Sequence, residues 1–211
     1  MELYITMGIC FIPLIVAISV SLVKVTGFTK RLALVSSLLG LAAIIPIGFL
    51  QFFILELPIF NTGTISALLV TTIIFNGLIE EFIKMLLLLF LPAKKMNFKA
   101  FLACAIISGL ALGCFEAIIY VITGTPHIEV RLFTAVIMHA ACAGLSGLYV
   151  WTYKNTKSQL SAFITAVLLH GIYNFFAGFS GNFWLFSIVA ILFAIVRCRV
   201  DYHAIDENLN K

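Results

Sequence analysis

The stretch TISALLVTTIIFNGLIEEFIKMLLLLFL, Thr64–Leu91, decides the fold and points to the chemistry. A membrane-spanning helix needs about 20 mostly apolar residues, and this run exceeds that. Yet it carries Glu80, Glu81 and Lys84 in its interior. Ionisable groups deep in a membrane helix are costly and usually functional. The run is therefore read as a transmembrane helix that carries a site.

The rest of the chain agrees with that reading. Of its 211 residues, 63% are apolar and 10% charged. Soluble domains are roughly half apolar and a quarter charged. A soluble chain of this length could not cover so much apolar surface. Seven runs meet or approach the spanning length: Leu3–Val23, Leu32–Leu55, Thr64–Leu91, Ala100–Ile122, Leu132–Trp151, Leu160–Gly178 and Phe183–Val196. Prolines, glycines and charges fill the breaks between them. The last run is short, and the sixth and seventh also read as one broken helix. The expectation is an all-α, polytopic transmembrane bundle of about seven spans. Residues 1–198 form one membrane domain and 199–211 a short polar tail. The first run lacks a basic leader and a small-residue cleavage site, so it reads as a retained helix. The five cysteines show no metal-ligand spacing and read as small packing residues. A formal charge of +4 is too small to argue for nucleic acid.

Orientation follows from Lys and Arg. Alternate breaks and the end of the chain hold 11 of the 13 basic residues. Arg131 stands on the opposite side, and Lys84 lies inside a span. The amino terminus is expected outside and the carboxyl terminus in the cytoplasm. His127, Glu129 and Arg131 read as a solvated external loop. Asp201, His203, Asp206 and Glu207 belong to the polar tail.

Six ionisable groups fall within spans three to six: Glu80, Glu81, Lys84, Glu116, His139 and His170. Counted from the cytoplasmic end of each span, Glu81, His139 and His170 lie roughly 18 Å deep and Glu116 roughly 24 Å. Four helices thus offer an acid or an imidazole at nearly one level. Glu80 and Lys84 are spaced i,i+4 and are expected to pair. Asn76 lies one turn before Glu80 on the same face, while Glu81 points about 100° away. His170 and Asn174 are also i,i+4, so the Asn amide is a candidate to orient the imidazole or to bind substrate. Ala105, Gly109 and Gly113 precede Glu116 at four-residue spacing. Ala140 and Gly144, and Ala143 and Gly147, follow His139. Such stripes let membrane helices approach closely.

Three carboxylates and one ammonium leave a net charge of −2 if all are ionised. Burying that charge uncompensated is prohibitive. Retained protons or a divalent cation must balance it. Zinc accepts His nitrogens and carboxylate oxygens and keeps a position for water in catalytic sites. Glu116, His139 and His170 suit it as ligands. No HExxH helix is present.

The string Glu80-Glu81-Phe82-Ile83-Lys84 resembles the EExxK motif of the PrsW proteases. Gly113-Cys114-Phe115-Glu116 resembles the family's second motif. His139 opens a third, and His170-Gly171-Ile172-Tyr173-Asn174 is similar to an HxxxN fourth. The order is that of the family. Leu112 stands where phenylalanine is typical, and Ala117 follows Glu116 where asparagine is typical. Both departures bear on fine positioning around the site.

The resemblance implies a bacterial, multi-pass cell-membrane endopeptidase, similar also to CAAX prenyl proteases and to the scaffold subunit of gamma-secretase. It implies a membrane protein substrate in the lipid bilayer, a single-span anti-sigma factor. Glu80, Glu81, Glu116, His139 and His170 are then the catalytic set, with Lys84 and Asn174 in support. Glu80 or Glu81 would act as general base on a water. The histidines would hold a zinc ion or stabilise the oxyanion directly, in a metal-free glutamate mechanism. Two other readings of buried acids remain. One is a cation- or proton-coupled transporter, although no paired, broken repeat is found. The other is a non-catalytic scaffold gripping a partner helix, for which a damaged motif set is expected.

Overall fold

A computed structural model describes residues 3–55, 63–123, 128–179 and 181–209, and every regular element among them is helical. Among the described residues, seven helical stretches are long and apolar enough to cross a membrane. The first joins α1 (Leu3–Cys10) to α2 (Ile12–Lys24), with a break at Phe11 and Pro13 in the opening turn of α2. Proline is tolerated there because the first N–H groups of a helix have no partner within it. The second is α3 (Lys30–Leu55), which runs through Pro46. The third is composite: α4 (Ile65–Thr72), a π-helical segment (Ile73–Ile79) and α5 (Glu80–Leu88). Then follow α6 (Phe98–Thr123), α7 (Ile128–Asn155), α8 (Leu160–Ala177) and α9 (Leu185–Leu209). A 3-10 turn, Gly181–Trp184, precedes α9, so the last two runs are separate spans. His127 and the side chains of Glu129 and Arg131 lie outside the described residues.

Helices α6 and α7 are the bundle axis. In each of their spans 67% of the residues are buried, against 11–39% in the other five. The small-residue stripes make this possible. A Cβ on Gly109 would strike the His139 carbonyl, and one on Gly147 would strike Ala105. Lipid tails are as apolar as leucine, so close van der Waals contact must hold such helices together. A second close approach joins the π-helical segment to α8. A Cβ on Gly77 would meet the Val167 carbonyl, and one on Gly171 would stand 2.5 Å from Ile73 Cα. The backbones of the third and sixth spans therefore touch where the acids begin. Cys10, Cys104, Cys114 and Cys142 are buried in helix contacts, as small packing residues should be.

The helix ends are secured locally. Thr64 Oγ1 accepts from the Ala67 N–H at 3.2 Å and caps α4. Asn97 caps α6 through the Ala100 N–H at 2.7 Å and donates to the Thr26 carbonyl, also at 2.7 Å. The Lys154 ammonium donates to the carbonyls of Leu89 and Leu91, beyond the end of α5. The segment expected as a tail continues α9 to Leu209. Asp201 and Ile205 are buried in it, Tyr202 stacks on Phe98 with ring centroids 5.4 Å apart, and Lys99 meets Asp206 at 3.2 Å. Asp206 ties it to the start of α6, Asp201 pairs with Arg197 of its own helix at 2.9 Å, and His203 and Glu207 are exposed.

Candidate active site

Two adjacent acids begin α5 and diverge by about 100° around the helix. Glu81 turns into the bundle and is fully buried. Its Oε1 accepts from the Lys84 ammonium and lies 2.7 Å from His170 Nδ1. Its Oε2 accepts from Ser146 Oγ at 3.0 Å. The expected Glu80–Lys84 pair is thus corrected: Lys84 pairs with Glu81 at i,i+3. The reason is directional. Glu81 faces α7 and α8, where Lys84 is also enclosed, whereas Glu80 faces α3.

Glu80 is held from that side. Its Oε1 accepts from Gln51 Nε2 at 3.1 Å and from Asn76 Nδ2 at 3.2 Å. The second bond places Asn76 on the face expected for it. Glu80 Oε2 lies 3.8 Å from His170 Nε2.

The imidazoles meet edge to face, with centroids 4.8 Å apart. His139 Nδ1 lies 3.4 Å from the Lys84 Nζ, and its Nε2 lies 2.5 Å from Glu116 Oε2. An ammonium only donates, so Nδ1 is the acceptor and Nε2–H points at Glu116. Tyr120 donates to the other Glu116 oxygen. His170 presents Nδ1–H to Glu81, which leaves its Nε2 lone pair open toward Glu80. Asn174 does not reach the imidazole: its Nδ2 donates to the His170 backbone carbonyl at 3.3 Å. It steadies the turn of α8 that carries the ring.

All five expected catalytic residues and Lys84 are therefore gathered in one layer from α5, α6, α7 and α8. Three further contributors escaped the sequence reading: Gln51, Ser146 and Tyr120. Ser146 stands two turns after His139, and Tyr120 one turn after Glu116. That periodicity was available as a signal. Gln51 had only the weaker signal of a carboxamide inside an apolar run.

A metal fits this donor set. Glu80, His139 and His170 each offer a ligand atom, and those atoms lie within 4.8 Å of one another. The group takes Glu80 where the sequence reading had Glu116. His170 bonded through Nδ1 to a buried carboxylate is the arrangement that orients a metal-binding imidazole. Holding a metal, His139 would exchange the present partner of one ring nitrogen, Lys84 or Glu116, for the ion. Charge agrees as well. Glu81 and Lys84 neutralise each other, so Glu80 and Glu116 leave a −2 balance that a divalent cation cancels.

Seven membrane-crossing helices around a buried layer of carboxylates and imidazoles define the class: a polytopic membrane protein with a hydrolase-type site. A family model described as PrsW family intramembrane metalloprotease matches residues 29–198, and the chain belongs to that family. It is an intramembrane protease, acting on membrane proteins within the bilayer. The match spans α3 to α9 and includes every site residue named above. Membership favours the protease over the transporter and scaffold readings. Comparisons with the curated proteins and with the solved structures found no match.

Proposed function

We propose that this protease makes a cut in a single-span membrane protein of the anti-sigma-factor type, using zinc held by Glu80, His139 and His170. The observation that carries the reading is the convergence of those three side chains, within 4.8 Å, inside an intramembrane protease of a metalloprotease family. When bound, zinc would polarise the scissile carbonyl and lower the pKa of a water.

The chain's own groups then divide the work. Glu116 takes the proton of the attacking water at Oε2. It sits beside His139 and is 22% exposed, against 7% for Glu80 and 0% for Glu81. A base must touch its water: Glu81 is enclosed among Lys84, Ser146 and His170, whereas Glu116 accepts from Tyr120 and His139 yet keeps a partly exposed edge. Glu81 therefore orients His170 through Nδ1. Lys84 neutralises Glu81 and fixes the His139 ring at Nδ1. The surrounding apolar helices exclude bulk water, which strengthens each of these contacts. The basic residues of alternate loops support an amino terminus outside and a carboxyl terminus in the cytoplasm of a bacterial cell membrane.

The test is cleavage of a single-span membrane substrate by the purified protein in liposomes. Glu80→Gln and His170→Ala are expected to lose cleavage by about 100-fold or more. Stripping with a chelator should abolish activity, and zinc should restore it. Wild-type rates in both variants would refute the reading. Full activity in protein free of stoichiometric metal would refute the zinc assignment alone.

A further inference from the structure

We infer that Gln51 is a positioning residue for the reaction: with Asn76 it holds one oxygen of Glu80 so that the other faces the two imidazoles. The inference rests on the reading of Glu80 as a metal ligand.

A free carboxylate on a helix rotates readily and presents either oxygen. Here Glu80 Oε1 is engaged by two carboxamide donors, Gln51 Nε2 at 3.1 Å and Asn76 Nδ2 at 3.2 Å. Oε2 is left on the His170 side, 3.8 Å from Nε2. The Gln51 amide is itself fixed. Its Nε2 also donates to the Phe75 carbonyl at 3.3 Å, so both amide hydrogens are used. The flipped amide would set its oxygen against a carbonyl and a carboxylate, so the network decides its orientation.

The fold explains how a residue of the second span reaches the site. One turn before Gln51, Ile47 packs with Ala43 and Leu112, and Ile83 and Leu87 close over them. That apolar contact sets α3 against α5 and α6 just below the polar layer. The Phe75 carbonyl belongs to the π-helical segment, whose wide turns recur at functional sites. Gln51 thus joins α3, the π-helical segment and the first acid of α5 at a single nitrogen. Groups that orient a metal ligand typically change metal affinity or activity by about 10–100-fold when lost.

The experiment measures zinc affinity of the purified full chain by competition with a chelator, alongside kcat and KM for a membrane substrate. Gln51→Met keeps length and apolar fit but removes the donor. It is expected to weaken zinc binding and lower kcat by about 10–100-fold, with KM unchanged. Asn76→Ala, which leaves the Phe75 contact intact, should shift both in the same direction. Gln51→Asn keeps the carboxamide one methylene shorter and should fall between wild type and Gln51→Met. It carries the same test if Gln51→Met is not recovered folded. Wild-type zinc affinity in the Gln51 variants, with only a lower melting temperature, makes Gln51 a helix brace and overturns the inference. Glu80→Gln is measured in parallel to separate the two failures. If it loses zinc and the Gln51 variants do not, only this inference fails. If it binds zinc as wild type does, the ligand reading fails and takes the inference with it.

Discussion

Glu80 and Glu81 are neighbours in sequence and opposites in surroundings. Glu81 is enclosed, and its oxygens are taken by an ammonium, a hydroxyl and an imidazole. Glu80 is held at one oxygen by two amides, and its other oxygen is turned toward His170. Glu116, on the far side of His139, is the most open of the three acids. The site therefore has a saturated half, around Glu81 and Lys84, and an available half, around Glu80 and Glu116. Environment assigns different tasks to chemically equal groups. The saturated half keeps its charge balanced and its rings oriented. The available half keeps Glu80 Oε2 and the partly exposed edge of Glu116 within reach of a metal, a water or a substrate.

That division can be broken from either side. The largest effect is expected for Glu81→Leu, which strands the Lys84 ammonium in the bundle. Stranding a buried charge costs about 3–5 kcal/mol, read as a lowered melting transition in detergent or lipid, and cleavage should vanish with it. The double variant Glu81→Leu with Lys84→Met should recover most of the stability and none of the cleavage. If the single variant melts with wild type, the saturated half is not what holds this layer together.

Glu116→Gln probes the available half. It should lower kcat by about 10²–10⁴-fold while leaving the melting transition close to wild type. A stability loss as large as that of Glu81→Leu would erase the distinction between the halves.

Ser146→Ala is the mildest test. It removes one donor from Glu81, so a loss of about 1–3 kcal/mol and a small drop in kcat are expected. A collapse of activity as complete as that of Glu116→Gln would move Ser146 into the catalytic group.

The hydropathy runs marked about seven spans, because each helix in lipid must satisfy its own backbone and must be long and apolar enough to cross; the 3-10 turn at Gly181–Trp184 is what separates the last two. The common depth of Glu81, Glu116, His139 and His170 was legible for a related reason: rise per residue is constant along a helix, so depth follows from counting. The stripes around Gly109 and Gly147 were legible as faces for close helix approach, while their pairing of α6 with α7 came from the packing. Partner choice was not legible. Lys84 is within reach of both Glu80 and Glu81, and only the packing of α7 and α8 over Glu81 decides between them. The π-helical turn, the contact of Gly171 with Ile73, and the reach of Gln51 across from α3 depend on how neighbouring helices meet. Local sequence determined which groups are buried and at what level. Tertiary structure decided which atom of each faces which, because hydrogen-bond direction is set between helices and not along one.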